Sequence, residues 1–308
     1  MKKIFKTVGI CLIACLAFSC TSDDNSVKEE NPGGENPGGE NPGGENPGGE
    51  NPGETITLWV LDKVEEKIYD SKYNEEGGVI GSELFSITNY VFNYDEKGRI
   101  GTIDVDQLDE IPFTEESHYT TRATVTYNDK DQITRLYTVD TQNGEAWYDE
   151  KMEYNGEGQL IKTVESVDGE TKFFQYNAKN QVATLKILDD SGHVLNYTYE
   201  YDSRGNIARA AADNEFHVFS YDDKKNPYTH MSMNLSYDDF EYTYGLTVLK
   251  IGTNNITSYT DDRGEVWLRE LEYNAEGYPT KAKAYFKNDR TIVGSTYSYT
   301  YKTITVAK

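Results

Sequence analysis

Cys20 ends an apolar leader, and a cysteine in that place can be acylated by lipid. Lys2, Lys3 and Lys6 form a basic start, Val8 to Phe18 an apolar core, and Leu16-Ala17-Phe18-Ser19-Cys20 a loose lipobox. A signal peptidase cutting before Cys20 leaves that residue diacylated at a new N-terminus. Residues 1–19 then read as a processing segment, too short to span a bilayer as a helix. Cys15, behind Leu12-Ile13-Ala14, fits the lipobox better as a string, but cutting there leaves a hydrophobic stub on the mature chain. Cys20 is the expected lipidation site. With Cys11 and Cys15 it completes the set of three cysteines, so the exported part has neither disulfide nor thiol chemistry.

Other reactive types are present without a pattern. His118, His193, His217 and His230 are not spaced like metal ligands on a strand or helix, and read as structural or surface histidines. Gly-x-Ser-x-Gly, P-loop and His-Glu-x-x-His strings are absent. Asp189-Asp190 and Asp261-Asp262-Arg263-Gly264-Glu265 gather oxygens that could suit calcium, but they abut hairpin glycines and read as turn residues. No cofactor or metal is expected. Trp147 and Trp267 each follow a hairpin glycine by three residues, at Gly144 and Gly264, and so belong to one rim. Their faces could stack on sugars, with Glu145, Asp149 or Arg269 beside them, which makes both candidate glycan contacts. The plainer reading is that they fill the ends of a core.

What must position these residues follows the leader. Thr21-Ser22-Asp23-Asp24-Asn25 is acidic, and Glu-Asn-Pro-Gly-Gly then repeats from Glu30, Glu35, Glu40 and Glu45, with a truncated copy at Glu50 to Gly53. Residues 20–54 offer no apolar surface to offset the entropy of ordering, and read as a disordered tether reaching about 30 Å. The formal charge of −23 becomes more negative once three leader lysines are removed. Nucleic acid and anionic lipid headgroups are therefore poor partners.

Residues 55–308 form the folded part, one all-β domain. Its 25 tyrosines and many Thr and Val favour strands. A motif Tyr–(Asn/Asp)–x–x–(Gly or similar)–x–(apolar) recurs at Tyr94, Tyr154 and Tyr201, and more weakly at Tyr127, Tyr176, Tyr221 and Tyr273. Asn or Asp caps a type I turn, and a left-handed residue three positions later completes a bulged hairpin. Before these turns, apolar and polar residues alternate, as in Tyr90-Phe92-Tyr94 and Tyr197-Tyr199-Tyr201. A second turn class, at Asn143-Gly144, Asp168-Gly169, Ser191-Gly192 and Arg263-Gly264, alternates with the first. The strands therefore run up and down as an antiparallel meander curled into a barrel or half-barrel. The doubled interval from Tyr221 to Tyr273 implies a copy that has lost its signature, and Tyr73-Asn74 a degenerate first copy.

The tyrosine–aspartate turn with its Gly-Arg/Asn-Ile/Leu tail resembles the YD repeats of Rhs-type proteins, over roughly Tyr90 to Tyr301. The tether, Asn254-Asn255-Ile256-Thr257-Ser258-Tyr259, and Leu271 to Pro279 resemble a family of Bacteroidetes lipoproteins of unknown function with a porin-like fold. That resemblance implies a fold without an activity. The acidic stretch after Cys20 resembles the signal that sends such lipoproteins to the outer face of the outer membrane. The opposite stripe of the strands carries Glu153, Glu200 and Glu272, so the expected barrel is soluble rather than membrane-spanning. The functional expectation is a surface-anchored, non-catalytic interaction protein, with a glycan or a surface protein as partner. A glycan-binding accessory role, or less favourably a carboxylate hydrolase, is the alternative.

Overall fold

A computed structural model describes residues 13–14, 55–109, 117–212, 215–228, 233–234 and 253–307. Cys20, the tether at 20–54 and His230 lie outside the described residues, as does nearly all of the leader. Ile13–Ala14 and Met233–Asn234 pair with each other in a ladder of their own.

The remaining strands are β1 (Thr55–Tyr73), β2 (Val79–Tyr94), β3 (Ile100–Asp109), β4 (His118–Tyr127), β5 (Ile133–Asp140), β6 (Ala146–Tyr154), β7 (Leu160–Glu165) and β8 (Thr171–Tyr176). They continue as β9 (Val182–Leu188), β10 (Val194–Tyr201), β11 (Ile207–Ala212), β12 (Glu215–Tyr221), β13 (Ile256–Asp261), β14 (Val266–Tyr273), β15 (Pro279–Tyr285) and β16 (Val293–Ala307). Each pairs antiparallel with the next. β16 pairs with β1 from Ser295↔Ile68 to Ala307↔Thr55, which closes the sheet into a barrel of 16 strands.

The tyrosine turns gather at one end, which we call the tyrosine end, together with Thr55 and Ala307. The glycine hairpins gather at the other, the distal end. The tyrosine turn builds itself locally. Asp95 Oδ1 accepts from the N–H groups of Lys97 and Arg99, at 3.0 and 2.9 Å, and Gly98 takes φ +78°. Asn128, Asn155, Asn177 and Asp202 cap their turns in the same way. Asp131 and Asn180 hold the left-handed position at φ 59° and 62° where two copies lack glycine. The register shifts at Tyr94, Tyr127, Tyr154, Tyr201, Tyr221 and Tyr273, the bulge that such turns impose.

The tyrosine itself then reaches back. Tyr127 Oη donates to the carbonyl of Ile100 (2.9 Å), Tyr154 to Ile133 (2.8 Å), Tyr176 to Leu160 (2.9 Å), Tyr201 to Val182 (2.8 Å) and Tyr221 to Ile207 (2.8 Å). In every case the acceptor is the apolar residue that ends the preceding motif. Consecutive repeats are therefore interlocked, and the motif's first and last slots have one shared purpose. Tyr273 is the exception, donating to the Asp222 carboxylate, which also accepts from the Asn255 N–H at 3.0 Å.

Side chains facing inward near the tyrosine end are apolar. Phe92, Ile103, Ile133, Leu136, Leu185 and Ile207 are completely buried, each contributing about 1.5–3 kcal/mol by burial. Toward the distal end the inner wall turns polar, with Thr88, Gln107, Thr121, Thr138, Glu150, Thr163 and Lys172 all buried. The outer wall carries cross-strand ion pairs, among them Asp104–Arg122 (2.6 Å), Arg135–Asp149 (2.6 Å), Glu153–Lys162 (2.8 Å) and Glu272–Lys281 (3.1 Å). A membrane pore needs an apolar band at that position. This wall instead carries charged pairs between neighbouring strands.

Two sequence expectations are corrected. No copy is missing between Tyr221 and Tyr273: Tyr221 pairs with Ile256, so β12 and β13 are neighbours and the extra length lies inside their connection. Tyr73-Asn74 does start a turn of the same chemistry, with Asn74 capping Glu76 and Gly78, but it lies at the distal end. Tyr73 is 60% exposed there and clamps nothing.

Candidate functional site

The β1–β2 hairpin runs past the other strands. β16 stops pairing at Ile68, whereas β1 and β2 pair on to Tyr73↔Val79. The overhang forms one side of a cavity of about 660 Å³ at the distal end. Tyr69, Asp70, Tyr73 and Glu83 come from the overhang, and His217, Tyr259, Asp261 and Trp267 from β12, β13 and β14. The turn between β13 and β14 adds Asp262, Arg263 and Glu265, and Phe286 lies among them.

Aromatic rings form the floor. Trp267 stacks on Tyr259, with centroids 5.6 Å apart and planes at 4°, and Phe286 meets Trp267 edge-on at 5.1 Å. His217 stands edge-on to Tyr259 at 5.1 Å. Burial holds the His217 imidazole below its ordinary pKa, against the opposing pull of Asp261 and Asp262. It is therefore neutral at pH 7.

The rim is acidic. Asp261 Oδ1 accepts from the N–H groups of Arg263 (3.0 Å) and Glu265 (2.8 Å), as a turn cap. Arg263 lies 3.8 Å from Asp261 and 3.9 Å from Asp262, with a side chain that is 77% exposed. Glu83 pairs with Lys72 and Glu265 with Lys287. Asp70 has no ion pair among the described residues. Asp189, the other acidic turn considered for calcium, caps its own hairpin through His193 N–H at 2.8 Å. Among the described residues no cluster of His, Cys, Asp and Glu is arranged to hold a metal.

The two tryptophans share an end but not a place. Trp147 is half-buried at a bulge in β6, beside Tyr119 with centroids 5.6 Å apart. β6 and β14 are eight strands apart in a closed ring of 16, so the indoles stand on opposite walls. Trp147 and Trp267 thus reach one rim without standing near each other: alternation fixes which rim a residue reaches, whereas strand count fixes its angle around the barrel. The flanking polar residues are likewise dispersed. Asp149 lies on the outer wall against Arg135, and the Arg269 guanidinium lies 4.8 Å from the Tyr297 ring centre. The cavity residues that sequence reasoning missed are Tyr69, Asp70, Glu83, His217 and Phe286. For Tyr69, Asp70 and Glu83 the signal was the length of β1 and β2, 19 and 16 residues against 6–10 for most others; His217 and Phe286 carried none.

No protein family and no curated protein matches the sequence. Among solved structures, a porin-like protein from Bacteroides uniformis aligns with a TM-score of 0.50 and 15% identity, over 79% of this chain and 98% of that one. The fold is that of a porin-like barrel. A second porin-like protein, from Bacteroides vulgatus, matches 79% of this chain and 98% of its own at 11% identity and a TM-score of 0.25. The Photorhabdus luminescens Tc holotoxin pore matches 74% of this chain over 12% of its own, at 11% identity and a TM-score of 0.26.

Proposed function

We propose that this chain is a non-catalytic binding barrel, held at the outer-membrane surface by lipid on Cys20, with its distal cavity facing outward. One observation carries the reading. Thr55 pairs with Ala307 at the tyrosine end, and the cavity begins at Ile68 on the same strand, about 40 Å further along at 3.3 Å per residue. A tether entering at Thr55 therefore holds the barrel by the end opposite its cavity. The cavity carboxylates favour binding over proton transfer, because Asp261 is committed to its turn and Glu83 and Glu265 to lysines. A glycan is the second reading, favoured by the Trp267–Tyr259 stack beside polar groups; Trp147 lies outside this cavity.

The test combines attachment and exposure. Wild-type cells should carry the protein in the outer-membrane fraction, and protease added to intact cells should release it by cutting within residues 21–54. Cys20→Ala should move it to the soluble fraction. A variant that stays membrane-bound, or a wild type shielded from protease on intact cells, overturns the anchoring reading. Binding is tested by the ligand series below.

A further inference from the structure

The cavity's composition says which ligand charge it accepts. This inference rests on the binding reading above and names the ligand class for that site. We infer that the distal cavity takes an organic cation, an ammonium or guanidinium group seated against the aromatic floor and facing the acidic rim.

Three features converge on that class. First, Trp267, Tyr259 and Phe286 line the cavity together, and aromatic rings attract cations through their quadrupole, tryptophan most strongly. Second, Asp70, Glu83, Asp261, Asp262 and Glu265 all line one cavity. Lys72 and Lys287 offset Glu83 and Glu265, which leaves Asp70 and the Asp261–Asp262 pair against Arg263 alone. Third, Arg263 is a loose partner. It is 77% exposed and sits at 3.8 and 3.9 Å, beyond hydrogen-bond distance of both aspartates. An arriving ammonium or guanidinium group can take its place. His217 is neutral at the back of the site and does not oppose a cation. An anion would meet uncompensated carboxylates, and a neutral ligand would make no use of Asp70. The net charge of −23 extends the same preference outward by steering.

The probes are a glucosamine trimer, its fully N-acetylated neutral counterpart, a Lys-Arg-Lys tripeptide and tetramethylammonium chloride. Each is titrated calorimetrically into the mature full-length protein at low salt. The amine-bearing trimer or the tripeptide should bind, and whichever is tighter identifies the cation's source. The N-acetylated trimer should bind about tenfold or more weakly. Asp261→Asn keeps an oxygen for the turn cap while removing the charge, and should weaken cation binding several-fold with an unchanged melting temperature. Arg263→Gln should strengthen it, and raising salt from 50 to 500 mM should weaken it. If the N-acetylated trimer binds as tightly as the amine, or Arg263→Gln weakens every ligand, the cation inference fails while the binding reading stands. If no probe binds, both fail.

Discussion

The hydroxyl of Tyr154 donates to the carbonyl of Ile133 at 2.8 Å, tying the turn after β6 to the buried apolar residue that opens β5. The same bond recurs at Tyr127, Tyr176, Tyr201 and Tyr221, each joined to the end of the repeat before it. A chain with no cysteine after Cys20 is thus stapled by hydroxyls. One such bond contributes about 0.5–1.5 kcal/mol net. Tyr154→Phe should lower unfolding free energy by about that amount in a urea titration, and Ile133→Ala by about 2–5 kcal/mol, because Ile133 is completely buried. A Tyr154→Phe variant as stable as wild type would remove the staple's role.

Two glycines with the same backbone should respond differently to alanine. Gly158 (φ +84°) would place a new Cβ 3.2 Å from the Gln132 amide, which itself donates to the Gly158 carbonyl at 3.1 Å. Gly144 (φ +75°) opens onto empty space. Gly144→Ala should cost about 1–2 kcal/mol, the left-handed penalty alone. Gly158→Ala should cost measurably more, since the link to the neighbouring turn must shift. Equal losses in chemical denaturation would mean that the turns act singly.

Acid should loosen the distal end through His217. Its folded pKa lies below the ordinary 6.5 because burial disfavours the charged ring, although Asp261 and Asp262 pull the other way. In the unfolded chain the imidazole takes up a proton near pH 6.5, while the folded one does not. The unfolded state therefore binds more protons in that window, and stability falls as pH drops from 7.5 through 6.5 toward the depressed folded value. Comparison with His217→Asn across pH 5–8 isolates the contribution. A flat difference between the two proteins would show that His217 titrates normally.

Trp147 and Trp267 should behave as independent sites. On opposite walls they share no partner, so the destabilisations from Trp147→Ala and Trp267→Ala should add within about 0.5 kcal/mol in the double variant. Ligand retention should follow Trp267 alone. A strong coupling energy in the double-mutant cycle would contradict the eight-strand separation.

The outer wall predicts handling without detergent. With Asp104–Arg122, Glu153–Lys162 and Glu272–Lys281 exposed where a pore has its apolar band, Cys20→Ala protein should remain monodisperse in plain buffer by size-exclusion chromatography. Aggregation that only detergent reverses would contradict a water-facing wall.

Much of this architecture was legible because its rules are local. Period-two alternation before Tyr94, Tyr154 and Tyr201 revealed the strands. Asp95-x-x-Gly98 and its relatives revealed the turns, even where Asp131 or Asn180 replaced the glycine. Closure was not legible, since it depends on pairing between residues as distant as Thr55 and Ala307. The long interval after Tyr221 misled for a related reason: spacing counts residues, and an insertion between paired strands looks the same as a lost repeat. The cavity lay further out of reach. It combines residues from β1, β2, β12, β13 and β14 that meet only after the ring has closed, and His217 carries no local mark of its burial.

The pairing of β1 with β16 also has a meaning in time. The first strand to be synthesised waits for the last, and the largest interface in the barrel joins residues about 240 positions apart in sequence. Contacts that distant are slow to form and make a late, cooperative commitment. Until its final strand is available, the sheet has two open edges and cannot complete itself. A chain truncated before Val293 would keep two unpaired edges, the kind of surface that promotes aggregation.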